Sequence, residues 1–310
     1  MALHRLTRIV MGVPNVAEVS SYYREFGLSP ASEPHHFATV DGGEQLRIVP
    51  AVSRRLVQLG VGTDDLDDLG RISSALDRLG VACTRADTSL TAVDPGTGVS
   101  VRVEIDDRIV QKPATEPVYN APGVLGRPGT RADGILRQEG VRPRKLGHVV
   151  LGSTDQDASQ RFFLDGLGFK VSDTVPGLAA FVRCSSDHHN VLVQQAPVSF
   201  LHHTSWQVDD VDDVGRGATA MLKADPDRHT WGLGRHFIGS NFFWYLKDPA
   251  GNFSEYYSDM DCIVDDALWK PGVWDASNSL YSWGQPPPPS FLAPEDLAAM
   301  MTGAHSPDLC

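Results

Sequence analysis

His148, His203 and Glu255 are two imidazoles and a carboxylate carried on strand-like segments, and His148 and Glu255 sit among apolar or aromatic residues. His148 interrupts the run Leu146-Gly147-His148-Val149-Val150-Leu151, and an unpaired imidazole buried there would be costly. Glu255 shares a strand face with Phe253 and Tyr257, since alternate residues point the same way. A carboxylate among inward aromatics needs something positive to compensate it. Taken singly, each histidine could be a satisfied core residue and the glutamate could face solvent. Together, two imidazoles and one carboxylate form the donor set of a facial triad, which holds divalent iron and leaves coordination positions open for oxygen chemistry.

The elements that must position these residues are strands. Phe242-Phe243-Trp244-Tyr245-Leu246 is an aromatic run suited to a pleated surface. Asp248-Pro249-Ala250-Gly251 is a turn by its chemistry, because proline presets φ and glycine accepts a positive φ. The chain returns through Asn252 to Tyr257, carrying Glu255.

An internal repeat organises the rest. Leu6-Thr7-Arg8-Ile9-Val10-Met11-Gly12 resembles Leu146-Gly147-His148-Val149-Val150-Leu151-Gly152. Each is followed by a helix with paired aromatics, Tyr22-Tyr23 and Phe162-Phe163, then by Gly27-Leu28 or Gly168-Phe169. Asp64-Asp65-Leu66-Asp67-Asp68-Leu69-Gly70-Arg71 matches Asp209-Asp210-Val211-Asp212-Asp213-Val214-Gly215-Arg216, acidic residues opening a helix where its dipole favours them. Val93-Asp94-Pro95 parallels Lys247-Asp248-Pro249. Aligned without gaps on these anchors, His148 falls on Arg8, His203 on Gln58 and Glu255 on Val101. A duplication in which one copy holds a site and the other has lost it explains this pattern.

The expected organisation is an N-terminal module over 1–110 without a metal site, a linker over 111–143, a catalytic module over 144–262 and a tail over 263–310. The linker carries Pro113, Pro117, Pro122, Pro128 and several glycines, which forbid a long helix or strand. The tail holds Trp269, Trp274 and Trp283, then Pro286-Pro287-Pro288-Pro289 as extended polyproline II, then Pro294-Glu295-Asp296-Leu297 opening a short helix. Three tryptophans in the tail imply that it packs on the protein or a neighbouring subunit.

Composition narrows the function. With 310 residues and 41% hydrophobic content, the chain can bury a large core. A net charge of −12 with no basic stripe argues against nucleic acid and anionic membranes. No apolar run reaches membrane length and the start lacks a signal-peptide core. Cys83, Cys184, Cys262 and Cys310 lack CxxC spacing and fit free thiols in a reducing cytoplasm.

At this point the chain resembles the type I extradiol ring-cleaving dioxygenases of the vicinal oxygen chelate superfamily, the catechol and dihydroxybiphenyl enzymes. The resemblance covers both copies. Its signature is Gly-x-His, an aliphatic residue then Tyr, Asp-Pro-x-Gly, then Glu, here Gly234-Arg235-His236, Tyr245, Asp248-Pro249-Ala250-Gly251 and Glu255. Trp244 departs from the usual aliphatic residue or Phe, which leaves the turn intact and reshapes local packing.

The resemblance implies an α+β fold of two tandem modules, each an open mixed β-barrel built from paired βαβββ repeats with outer helices. It implies His148, His203 and Glu255 as ligands to Fe(II), with Mn(II) as an alternative metal. His203 is chosen over His202 from the family's His-His-x-x-x-x-Val strand, and alternation would turn His202 to the other face. His189, 14 residues before His203, matches the acid–base histidine, with His188 as the fallback; His236 and Tyr245 match the pair that contacts a substrate hydroxyl. Phe181 and Phe243 are candidates for stacking on the substrate ring. His35, His36 and His229 match nothing and read as surface residues.

The implied reaction is meta cleavage of a small aromatic diol, with O2 as co-substrate, in a cytoplasmic homo-oligomer. Three other readings share the fold. A 4-hydroxyphenylpyruvate dioxygenase would not need His189, His236 and Tyr245 together. A glyoxalase-type enzyme usually shares its site between modules, which Arg8, Gln58 and Val101 argue against. A non-catalytic binding protein of the same fold would lack the full ligand set.

Overall fold

The computed structural model describes residues 3–277 and 279–303. Its first half runs β1 (Leu3–Val13), α1 (Val16–Glu25), β2 (Ser29–Pro30), β3 (His36–Thr39) and β4 (Gly43–Pro50). It continues β5 (Arg55–Thr63), α2 (Leu66–Arg78), β6 (Cys83–Ala86), β7 (Ser89–Val93) and β8 (Ser100–Ile105). After a segment whose one helix is the short α3 (Asp133–Leu136), the pattern repeats. β9 (Lys145–Ser153) leads into α4 (Gln156–Arg161), a wider π-helical turn (Phe162–Leu167), β10 (Lys170–Val175), β11 (Ala179–Arg183) and β12 (Val191–Gln195). The final repeat is β13 (Phe200–Gln207), α5 (Val211–Ala224), β14 (His229–Arg235), β15 (Phe242–Lys247) and β16 (Phe253–Ser258). The tail adds β17 (Gly272–Val273), α6 (Pro289–Leu292) and α7 (Leu297–Gly303).

The strands form two open mixed sheets, β2-β3-β4-β1-β5-β8-β7-β6 and β14-β15-β16-β13-β9-β12-β11-β10-β17. In every βαβββ unit the first strand pairs in parallel with the last: β1 with β4, β5 with β8, β9 with β12 and β13 with β16. The two units of a sheet meet through their leading strands, β1 against β5 and β9 against β13, both antiparallel. The fold is therefore α+β, with two sheets in tandem as the repeat implied. No helix of the described residues is long and apolar enough to cross a membrane. Cys310 lies outside the described residues, and Cys83, Cys184 and Cys262 are free thiols.

The aspartate-rich openings are helix caps. Asp65 accepts a hydrogen bond from the Asp68 amide at 2.9 Å, and Asp210 from the Asp213 amide at 3.0 Å. Arg137, from the segment between the sheets, pairs with Asp210 and Asp213 and ties that segment to α5.

The sheets share one apolar core, joined by helix faces that cross between them. Phe26, at the end of α1, stacks on Tyr256 of β16 with centroids 3.8 Å apart and planes 2° from parallel. The Tyr256 hydroxyl donates to the Phe26 carbonyl at 2.7 Å, and Tyr22 reaches Ser254 at 2.5 Å. On the other side, Gly166 lets α2 come close: a Cβ there would lie 2.9 Å from the Leu76 side chain, which would have to shift. Because Ser254 and Tyr256 flank Glu255, module packing also holds the glutamate's strand. Phe26→Ala, which empties a fully buried site, is expected to cost about 3–5 kcal/mol, read as a lowered midpoint in denaturant unfolding.

Candidate metal centre

Two lines of register partners across the second sheet build the site. One runs Phe181 on β11, Leu192 on β12, Val150 on β9 and His203 on β13. The other, two residues along, runs His148 on β9, Ser205 on β13, Glu255 on β16 and Tyr245 on β15. Alternation puts both lines on one face. Three residues distant in sequence therefore meet on three adjacent strands. The Asp-Pro turn fixes the entry to β16: Gly251 takes φ +91°, and Asp248 accepts from the amides of Ala250 and Asn252, both at 2.9 Å. Burial pushes the Asp248 carboxyl up to about 6.

The three ligand atoms face one another. His148 Nε2 lies 3.3 Å from His203 Nε2 and 3.2 Å from Glu255 Oε2; His203 Nε2 lies 3.7 Å from the same oxygen. Octahedral bonds of about 2.1 Å place neighbouring ligand atoms about 3 Å apart, close to this spacing. Glu255 Oε2 is buried and has no hydrogen-bond partner, while Oε1 accepts from the Asn241 side-chain amide at 3.1 Å. An orphaned carboxylate oxygen facing two imidazole nitrogens is what a bound cation would satisfy. Among the described residues, these three are the one group of His, Cys, Asp or Glu so arranged.

Electrostatics favour ligation. Burial raises the Glu255 carboxyl, but the His148, His236 and His203 rings that face it outweigh this and hold the group below the usual range. Burial, aided by the charge of His202, drives His203 well below the ordinary imidazole range, so the ring is neutral with a lone pair available.

A second trio surrounds the centre. His236 Nδ1 donates to the Leu280 carbonyl at 2.6 Å, and its Nε2 lies 2.8 Å from the Tyr245 hydroxyl. Burial pushes the Tyr245 phenol well up, so it keeps its proton. His189 packs its ring 4.2 Å from that of His148 and 5.2 Å from Phe181. Burial and the neighbouring histidines hold His189 well below its ordinary value. The cavity between these groups has a volume of about 110 Å³ and is lined by His148, His189, His203, His236, Tyr245 and a mostly apolar remainder. That is several times the room one water needs.

Residues 145–256 match the Glyoxalase/Bleomycin resistance protein/Dioxygenase superfamily. The chain is 32% identical over 304 residues to metapyrocatechase 2 of Cupriavidus necator, spanning 94% of this chain and 92% of that protein. The chain belongs to the extradiol ring-cleaving dioxygenases. Biphenyl-2,3-diol 1,2-dioxygenase of Paraburkholderia xenovorans (strain LB400) is 29% identical, over 83% of this chain and 88% of that protein. Among solved structures, the Mn(II)-bound glyoxalase of Novosphingobium aromaticivorans shares the fold, with a TM-score of 0.72, 24% identity and 93% of each chain covered.

Within this extradiol dioxygenase, most expected site residues gather at the cavity, and two expectations change. Phe243 is fully buried behind His236, its ring stacked at 4.0 Å, and does not line the cavity; on β15 the cavity wall is Tyr245. His202 does not turn to the opposite face. The pairing of β13 with β9 slips between Leu201 and His203, and this irregularity brings the His202 ring beside His203, with both lining the cavity. His188 is buried and faces Asp173, so of the 188–189 pair only His189 borders the cavity. Arg8 pairs with Glu104, and Val101 is core of the first sheet. His35 and His229 are exposed and His36 is half-buried.

Sequence reasoning missed the tail. Ser279, Leu280, Phe291 and Leu292 form one side of the dioxygenase cavity, and no local pattern marks them. Asn241 was also missed, since an asparagine in a Gly-Ser-Asn turn carries no signal of its bond to Glu255. Mn(II) at 100 times its Kd is expected to stabilise the parent by about 2.7 kcal/mol. In thermal unfolding, His148→Ala, His203→Ala and Glu255→Ala should each show no metal-dependent rise.

Proposed function

We propose that this dioxygenase opens uncharged catechols at an Fe(II) held by His148, His203 and Glu255, with His189, His236 and Tyr245 handling protons and charge on the substrate. The observation that supports the reading is the meeting of two histidine-rich groups on one small apolar cavity. When bound, the divalent metal lowers the pKa of the diol and gives dioxygen a route to the ring's electrons. Mn(II) is the alternative, since nitrogen and oxygen donors accept both.

The chain's own residues do the rest. Tyr245 keeps its phenolic proton, which rests on His236 Nε2 while His236 is fixed by the Leu280 carbonyl, and can turn that proton to an ionising substrate oxygen. Neutral His189 can take the second hydroxyl proton and return it as the ring opens. Phe181 presents itself to the ring, and Val150, Leu192 and Ile238 complete a wall that excludes water. The product is a ring-opened compound of the 2-hydroxymuconate type carrying both oxygen atoms.

No Lys or Arg is among the described residues lining the cavity. A carboxylate on the substrate would be buried there without a partner, whereas an alkyl or phenyl substituent would find apolar walls. With Fe(II)-loaded protein and a panel of catechols, oxygen uptake and the yellow ring-fission product should appear with catechol and its alkyl or phenyl derivatives. For carboxylated catechols kcat/KM should be on the order of 100-fold lower, equivalent to about 3 kcal/mol. His189→Phe should lower kcat by about 100-fold or more. Turnover at the parent rate would remove His189 from its role.

A further inference from the structure

We propose that His202 and His188 are positioning residues. Each fixes the proton of the following histidine on Nδ1 and leaves its Nε2 bare, and the C-terminal tail sets the His202 pair through the Phe291 carbonyl. The inference rests on the metal reading of His148, His203 and Glu255 for one pair and on the proton-handling role of His189 for the other.

The chain carries two adjacent histidine pairs, and both fold alike. His188 and His189 face each other Nδ1 to Nδ1 at 3.1 Å; His202 and His203 do so at 2.8 Å. In each pair the first member's Nε2 meets an accepting oxygen. His188 Nε2 lies 3.1 Å from Asp173 Oδ2, and His202 Nε2 lies 2.7 Å from the Phe291 carbonyl. A carbonyl or carboxylate oxygen cannot donate, so the Nε2 of His188 and of His202 carries the proton. In the proposed arrangement that is the ring's single N–H, and its Nδ1 accepts. The following histidine then donates from Nδ1. For His203 this frees the Nε2 that faces His148 and Glu255, the atom a metal needs. Ligating histidines generally donate their other ring N–H to an oxygen; here a second imidazole, itself held by an oxygen, takes that part. The Nδ1 of His148 has no hydrogen-bond partner among the described residues, so the device belongs to His203.

The tail's share is held by Arg54, in the loop just before β5. Phe291 seats its ring 4.7 Å from that of His202 and 4.6 Å from that of Tyr245. Five residues on, Asp296 is gripped by buried Arg54, with Nε to Oδ2 at 2.5 Å and Nη2 to Oδ1 at 2.8 Å. Arg54 Nη1 donates at 2.7 Å to the carbonyl of Leu201, the residue before His202. One arginine therefore clasps the ligand strand and the tail that crosses it.

The test reads proton position and metal affinity separately from turnover. Long-range 1H–15N NMR of metal-free, histidine-labelled protein should show Nδ1–H for both His203 and His189. His202→Phe should raise the Kd for Mn(II), measured by calorimetry, by about 10–100-fold. His202→Asn, whose amide oxygen falls near the lost Nδ1, should restore most of it. His188→Phe should leave Mn(II) affinity unchanged and lower kcat by about tenfold or more. Should His202→Phe not fold, His202→Gln keeps the bond to Phe291 but offers His203 no acceptor, and the same rise is expected. Parent-like affinity in the variant tested, or Nε2–H on His203, overturns the proposal. If the parent binds no Mn(II), or His203→Ala binds it equally well, the metal reading itself fails.

Discussion

A carboxylate with no exposed surface, deep in a β-sheet, is the constraint around which this molecule is arranged. Glu255 is fully buried, one oxygen held by Asn241 and the other facing two imidazole nitrogens. An ion removed from water costs several kcal/mol unless opposite charge and hydrogen bonds replace the solvent. The sheet offers partial compensation through the rings of His148, His203 and His236. A divalent cation bound there would complete it and turn a folding cost into binding energy. The same burial that makes the carboxylate expensive keeps the His203 ring neutral and the Tyr245 phenol protonated, the states that ligation and hydrogen-bond donation require.

Placing that carboxylate depends on the repeat. In each βαβββ unit the first and last strands lie side by side, so the two units of a sheet bring four strands together at its centre. His148, His203 and Glu255 sit on three of these, β9, β13 and β16. In the first sheet the same positions hold Arg8, Gln58 and Val101, and the side chains serve stability instead: Arg8 pairs with Glu104, and Val101 is core. Freed from ligation, that half packs α1 on β16 through Phe26 and Tyr256 and lends Arg54 to the tail.

Much of this was legible in the residues. The repeat, the Asp-Pro turn and the mismatches between copies singled out the three side chains that the sheet brings together, because donor chemistry is carried by residue type at a register position. Period-two alternation put Glu255 and Tyr257 on one face for the same reason. Two things were not legible. Alternation assumes an unbroken strand, and the slip between Leu201 and His203 breaks it, moving His202 to the cavity. Contacts made by main-chain carbonyls leave no mark on side-chain type, so Leu280 and Phe291 gave no sign that their oxygens hold His236 and His202. Phe243 shows a further gap: alternation gives a face, but not depth, and His236 stands between that ring and the cavity.

The tail answers a problem that an open sheet creates. A mixed sheet that does not close leaves one side of its concave face to water, and water there would screen each charge interaction the site relies on. Covering it with a further strand would only extend an edge. The tail pairs only briefly with the sheet, β17 on β10 and Trp283 on Arg235, and its proline-rich stretch then crosses to α6, with Phe291 among the site's aromatic rings. Because that cover also accepts hydrogen bonds from His236 and His202, closing the cavity and orienting its histidines are one event. The same cover shapes the cavity's chemistry. Apolar side chains of the tail and of the sheet, Leu280, Phe291 and Leu292 with Val150, Phe181, Leu192 and Ile238, make up most of its wall, so a few placed polar groups are left to orient whatever enters.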